Sequence, residues 1–187
     1  MTLKIIEIIG SLSLFISIYY ASRSNLLTWP LSIIAQIAFF ILFYVKGLYA
    51  NMALQIYFTI LSLFGWYNWK KLTENTVKTL SVNWQIVLIL ICVSGIVFTY
   101  FLYTRIFNIV SYASFFDVSS TVLSVIAVFL LSKKYLQCWY IWIIVDLIYI
   151  GLNFSKGLYL MMVLYLVVCG ISVKALSNWR RSSIREL

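Results

Sequence analysis

Apolar runs of about 20 residues recur from one end of this chain to the other, and they constrain the fold more than any other feature. Such a run crosses the roughly 30 Å hydrocarbon core of a bilayer as a helix. Spans are expected at 5–21, 27–45, 48–69, 83–103, 112–131, 136–155 and 157–177. Inside a bilayer every backbone N–H and C=O needs a partner within the protein, and the runs lack the alternation of barrel strands, so helices are expected. The fold class is therefore an all-α integral membrane protein with seven transmembrane helices. Of the 187 residues, 64% are apolar and 10% charged, against about 45–50% and 25% in soluble domains, and no stretch remains for a separate soluble domain. The first span has no small-residue cleavage site behind it, so it reads as a permanent helix from Ile5 rather than a signal peptide.

A net charge of +9 would suggest a polyanion partner in a soluble protein, but here the basic residues flank apolar spans and report topology, with no nucleic acid implied. Lys4, Lys46, Arg105 and Lys156 fall on one side. Arg23, Lys70, Lys71, Lys78, Lys133, Lys134, Lys174, Arg180, Arg181 and Arg185 fall on the other. Ten against four puts the second side in the cytoplasm, the N-terminus outside and the C-terminus inside. Enzyme chemistry has little to work with. There is no histidine, Cys92, Cys138 and Cys169 form neither a metal pattern nor a disulfide framework, and no Ser–His or two-Asp arrangement is present. No GxxxxGK[ST] phosphate loop occurs, and Lys46, Lys134 and Lys156 lie at span ends, unsuited to a retinal Schiff base. No catalytic residue, metal or cofactor is expected.

The chain also repeats itself. KGLY at Lys46–Tyr49 returns as KGLY at Lys156–Tyr159, 110 residues on, and NWKK at Asn68–Lys71 returns as NWRR at Asn178–Arg181. The same shift pairs Ser22-Arg23 with Ser132-Lys133, Trp29 with Trp139, Met52 with Met162 and Ser62 with Ser172. It also pairs Glu7 with Asp117 and Gln36 with Asp146. The single domain, 1–187, thus divides into repeat one at 5–71, a linker helix at 83–103 and repeat two at 115–181. Three spans reverse the chain's side and the fourth restores it, so the repeats point the same way, about an axis along the membrane normal. A 3+1+3 parallel repeat suits a transporter with a central site between two rocking bundles; a structural duplication is the alternative.

A carboxyl at mid-membrane costs about 2.5–3.5 kcal/mol on insertion scales, so intramembrane acids mark candidate sites. Glu74 and Glu186 fall in cytoplasmic segments, while Glu7 and Asp117 sit near the outer ends of their spans, where a helix dipole or a basic partner would hold them. Asp146 is near mid-span. Trp139, Trp142 and Asp146, spaced i, i+3, i+7, share one helix face that Asn153 continues, and Trp29, Ser32 and Gln36 repeat the stripe. The plain alternative is an interhelical hydrogen bond worth about 0.6–2 kcal/mol. Trp69, Trp84 and Trp179 read as membrane-interface anchors. Trp66 breaks the repeat, since Leu176 stands at its equivalent, and an aromatic face with one carboxylate suits a flat cation. Tyr49, Asn51 and Gln55 would add hydrogen bonds.

The run GLYANMALQIYFTILSLFGWYNWKK, followed by DVSSTVLSVIAVFLLSKKYLQCWYIWIIVD and KGLY, resembles the PnuC family of vitamin transporters over nearly the whole chain, most specifically at Gly65–Trp69 and Ser132–Trp142. The resemblance implies a SWEET-like 3+1+3 facilitator in the bacterial cytoplasmic (inner) membrane, assembled as a homotrimer. It implies uptake of nicotinamide riboside by facilitated diffusion, followed by trapping through phosphorylation in the cytosol. Thiamine, carried by relatives called PnuT, is the alternative cargo, and a vitamin-binding receptor that moves nothing is the rival from another class. The resemblance further implies that Trp66, Trp69 and polar residues of the second, third and sixth spans contact substrate. The candidate substrate-binding residues are therefore Trp66, Trp69, Asp146, Gln36, Trp142, Gln55, Asn51 and Tyr49. Members of the family tend to carry asparagine at the position of Asp146 and near Gln36, and many have an additional N-terminal helix. The partners expected are a cationic vitamin and the lipid bilayer.

Overall fold

The computed structural model describes residues 2–71, 77–108 and 111–184. Seven helices account for nearly all of them: α1 (Thr2–Ser22), α2 (Thr28–Val45), α3 (Tyr49–Lys71), α4 (Val82–Phe107), α5 (Tyr112–Ser132), α6 (Gln137–Ser155) and α7 (Tyr159–Ile184). Each coincides with an expected span, with ends displaced by a few residues and α7 extended furthest. Six of the seven are long and apolar enough to cross a membrane. The seventh, α3, is long enough at 23 residues but carries Asn51, Gln55, Asn68, Lys70 and Lys71, which make it more polar. Glu74 and Glu186, together with Arg185, lie outside the described residues.

The turns explain why the helices stop where they do. Gly47 and Gly157 both adopt φ +69°, the left-handed conformation that glycine reaches without a Cβ penalty. After each, a backbone N–H reaches back to a carbonyl that α2 or α6 would otherwise leave unpaired: Leu48 to Phe43 at 2.9 Å and Leu158 to Asn153 at 2.8 Å. At the other end of the same helices, Ser24 (φ 54°) and Lys134 (φ 58°) make the corresponding left-handed turns. Asn25 N–H then bonds Tyr20 C=O, and Tyr135 N–H bonds Leu130 C=O, each at 3.0 Å. Both KGLY segments are therefore helix stops, built from one local chemistry.

Packing joins six helices in a closed cycle. α2 lies between α1 and α3, α6 lies between α5 and α7, and the cycle closes where α3 meets α5 and α1 meets α7. The backbone of α4 approaches α5 alone, and among the described residues no other pair of helices brings its backbones together. No residue of α4 is fully buried: Leu88, Cys92 and Ile96 pack half-buried against the core, and most of its other apolar side chains are exposed as lipid-facing surface is. The segment leading into α4 is pinned: Lys78 N–H bonds Lys134 C=O, and Leu136 N–H bonds Lys78 C=O, both at 2.9 Å.

Burial is concentrated at one end of the cycle, the end with Arg23, Lys70 and Lys133. None of the described side chains of 49–60 or 159–171 is buried, whereas Leu61, Ser62, Gly65 and Trp69 on α3 and Ser172, Ala175 and Trp179 on α7 are. The contact between α2 and α3 is tight at Gly65, where an added Cβ would sit 2.4 Å from the Trp29 ring. Gly65→Ala is expected to lower folding stability by about 1–3 kcal/mol, read as a fall in thermal unfolding temperature in detergent. An unchanged temperature would mean that the ring moves aside freely.

Candidate functional site

Four tryptophans fill the buried end of the cycle. Trp29 meets Trp69 edge-to-face (centroids 5.1 Å apart), Trp69 meets Trp179 at 6.0 Å, and Trp179 meets Trp139 edge-to-face at 5.5 Å. Each such pair adds about 0.5–1.5 kcal/mol beyond the area it buries. The sequence reading made Trp69 and Trp179 interface anchors, and their 4% and 1% exposure corrects it: both are core residues. Trp84, 64% exposed, keeps the surface position expected of an anchor.

The two central indoles tie the halves of the cycle together. Trp69 Nε1 donates to Leu131 C=O of α5 at 3.1 Å, and Trp179 Nε1 donates to Ala21 C=O of α1 at 3.2 Å. Donor and acceptor in the second bond are each 110 residues from their counterparts in the first. Asn68 Nδ2 adds a bond to Ser132 C=O at 3.3 Å, and the Lys134 ammonium lies 4.9 Å from the Trp69 ring centroid. The outer two indoles, Trp29 Nε1 and Trp139 Nε1, are buried without a partner among the described residues.

Toward the open end from the tryptophans lies a second matched pair. Ser172 Oγ donates to Asp146 Oδ2 at 3.0 Å, linking α7 to α6. Gln36 Nε2 donates to Ser62 Oγ, also at 3.0 Å, linking α2 to α3. Asp146 is 2% exposed and Gln36 7%. Neither is saturated: Gln36 Oε1 is buried without a partner, and among the described residues Asp146 makes no ion pair and Oδ1 accepts no hydrogen bond. An unpaired buried polar atom such as Gln36 Oε1 costs about 1–3 kcal/mol, which makes it a candidate for a ligand or water to satisfy. The surroundings differ between halves. Ser32, one turn from Gln36, is bonded to Ser17 at 2.6 Å, whereas its counterpart Trp142 is a half-buried ring packed against the tryptophan core.

Comparison with known proteins decides what kind of machine this is. Residues 4–181 match the family described as Nicotinamide mononucleotide transporter. This chain belongs to that family. The nicotinamide riboside transporter PnuC of Escherichia coli (strain K12) is 25% identical, over 95% of this chain and 86% of its own length. The riboflavin/roseoflavin transporter RibM of Streptomyces davaonensis is 22% identical, over 96% and 86%. The crystal structure of the vitamin B3 transporter PnuC superposes with a TM-score of 0.72, at 20% identity, covering 95% of this chain and 81% of that one. These relatives are transporters, not enzymes, in agreement with a sequence that offers no catalytic constellation, and the family resemblance drawn from the sequence is correct. The chain is a multi-pass membrane protein of a vitamin-transporter family.

Within that family frame the remaining candidates separate. Trp66 is half-buried, with the Lys70 ammonium 5.0 Å from its ring centroid. Gln55 is half-buried one face along α3, while Tyr49 and Asn51 are exposed at the open end and make no hydrogen bond through their side chains among the described residues. A cavity of about 470 Å³ is lined by Lys4, Glu7, Ile8, Ser11 and Leu12, all on α1, and contains none of the candidates. Glu7 and Asp117 lie beyond the first turn of α1 and α5. Both are exposed and make no ion pair among the described residues, so neither expected partner, dipole or base, holds them. Ser62 and Ser172 were visible only as a matched pair in the repeat; nothing in the sequence marked them as the bonding partners of Gln36 and Asp146. Removing either hydroxyl strands a buried polar group. Ser172→Ala and Ser62→Ala are each expected to lower stability by about 1–3 kcal/mol in thermal unfolding; no loss from Ser172→Ala would mean that water replaces the hydroxyl.

Proposed function

We propose that this protein is a uniporter that carries a cationic B-vitamin, nicotinamide riboside first among the candidates, into the cell by facilitated diffusion. The single observation that carries the reading is the pair of buried polar groups at equivalent positions of the two halves, Asp146 without an ion-pair partner among the described residues and Gln36 with its Oε1 unsatisfied. The riboside is trapped in the cytosol by phosphorylation. Seven spans run with the N-terminus outside, in a bacterial inner membrane, and the four-tryptophan end faces the cytoplasm, where the basic residues concentrate. Repeat one (5–71) and repeat two (115–181) form two three-helix bundles in a 3+1+3 arrangement, with the helix at 83–103 as linker. The complex is a homotrimer, as in the family the sequence resembles.

Asp146 supplies the charge that favours a cation, and Gln36 reads the polar part of the ligand through its free Oε1. Gln55 of α3 lies on the same half as Gln36, and Trp142 lies one turn from Asp146. Trp66 and Trp69 are the family's expected contacts, yet Lys70 stands over Trp66 and the faces of Trp69 meet other rings and Lys134. A vitamin cation reaches them only if those neighbours move. Tyr49 and Asn51 then serve as an entry surface at the open end. Transport follows when the bundles rock about the site. The cytoplasmic end opens by breaking Trp69 Nε1–Leu131 C=O and Trp179 Nε1–Ala21 C=O, two hydrogen bonds of about 0.5–1.5 kcal/mol each. Thiamine is the second candidate cation. Riboflavin, the cargo of RibM, is uncharged and offers Asp146 no opposite charge.

Calorimetric titration of the purified protein with nicotinamide riboside, thiamine and riboflavin separates these cargoes. The riboside is expected to bind, and Asp146→Leu to weaken it at least about tenfold, the scale of a hydrogen bond to a charged group. Thiamine binding alone would move the assignment to the second cargo, and silence toward all three would remove the substrate reading. Uptake into liposomes separates a carrier from a receptor.

A further inference from the structure

On α6, Asp146 is bracketed by two aromatic residues: Trp142 four residues before it and Tyr149 three residues after, all on one helix face. Tyr149 does not stand alone. Its ring stacks on Tyr165 of α7, with centroids 4.8 Å apart and planes 16° from parallel. Tyr165 lies two turns toward the open end from Ser172, the residue that holds Asp146. Because α6 and α7 run antiparallel, both tyrosines sit on the open-end side of the Asp146–Ser172 bond.

Three properties set this stack apart from the other aromatic groups. No lysine or arginine lies over either tyrosine ring among the described residues, whereas Lys70 covers Trp66 and Lys134 covers Trp69. Neither tyrosine hydroxyl has a hydrogen-bond partner among the described residues, and both rings are half-buried rather than sealed. The stack also belongs to one half only. At the equivalent positions of the first half stand Phe39, which stacks on Phe43 within its own helix, and Gln55. One half thus offers a carboxyl beside uncovered electron-rich rings, and the other offers two amides.

We propose that the Tyr149–Tyr165 stack is a ring-binding subsite, the outer wall against which a positively charged aromatic ring rests while Asp146 faces its charge. This rests on the vitamin-transport reading and adds an orientation to it: the cationic ring lies against α6 and α7, and the hydroxyl-bearing part of the ligand points across to Gln36 and Gln55. The asymmetry between halves fixes which way round the ligand enters.

The test is Tyr165→Gln, alone and with Tyr149→Phe, because these changes install the residues that the first half already accommodates at Gln55 and Phe39. Affinity is measured by calorimetry for nicotinamide riboside and for its reduced dihydro form, which is nearly the same shape but uncharged. Loss of a desolvated cation–ring contact weakens the riboside by about 2- to 30-fold and leaves the dihydro form within about twofold. Tyr165→Phe, which keeps the ring face, retains riboside affinity within about threefold. Equal loss for both ligands, or no loss for either, would overturn the subsite while leaving the transporter reading intact. If the unmodified protein binds no riboside, thiamine is the probe, and failure of the unmodified protein to bind either removes the substrate reading and the subsite together.

Discussion

Two indole-to-carbonyl hydrogen bonds, running in opposite senses between the halves of the molecule, are the interaction on which the rest of the structure depends. Trp69 reaches from α3 to the end of α5, and Trp179 reaches from α7 to the end of α1. Without a hydrophobic driving force between helices in lipid, association rests on close packing and on such interhelical bonds. The seams that they close are the two at which α1–α3 meets α5–α7. Nearer the open end, the bonds of Asp146 and Gln36 each run within one half, between α6 and α7 and between α2 and α3. The side-chain hydrogen bonds that join the halves among the described residues thus gather at one end of the cycle.

The residue-by-residue correspondence at a shift of 110 makes the differences between the halves informative. Where residues 110 apart agree, they do structural work: the left-handed turns, the four tryptophans, the serines that satisfy the two central polar groups. Where they disagree, around Asp146 and Gln36, Trp142 and Ser32, Tyr165 and Gln55, the surroundings of the central polar pair become lopsided. A symmetric scaffold suits two alternating states, and a lopsided lining suits one asymmetric ligand.

Most of the fold was legible in the sequence because hydrophobic run length and glycine chemistry act locally. The spans needed only a count of apolar residues, and the KGLY stops needed only a glycine at the position where φ turns positive. The buried position of Asp146 was legible for the same reason: a carboxyl in mid-span must be kept from lipid. What failed was any inference that required knowing which helix faces which. Trp69 and Trp179 precede basic pairs at span ends, the usual setting of an interface anchor, and only the closure of the six-helix cycle turns them inward. Their retention in both copies, against the loss of Trp66 at Leu176, was the available signal. Glu7 and Asp117 misled for the opposite reason, since proximity to a helix end in sequence suggested a dipole contact that their place beyond the first turn does not give.

The central claim is that the two halves move against each other about the tryptophan end as the molecule works. It is tested most directly by measuring spin-label distances between halves at both ends, with labels at Lys70 and Arg180, exposed at the tryptophan end, and at Tyr49 and Tyr159, exposed at the open end. The account predicts two distance populations at each end, shifted in opposite directions when vitamin is added: where one pair separates, the other approaches. A single distance at both ends, unchanged by ligand, would contradict it and leave the tryptophan bonds as permanent structural ties.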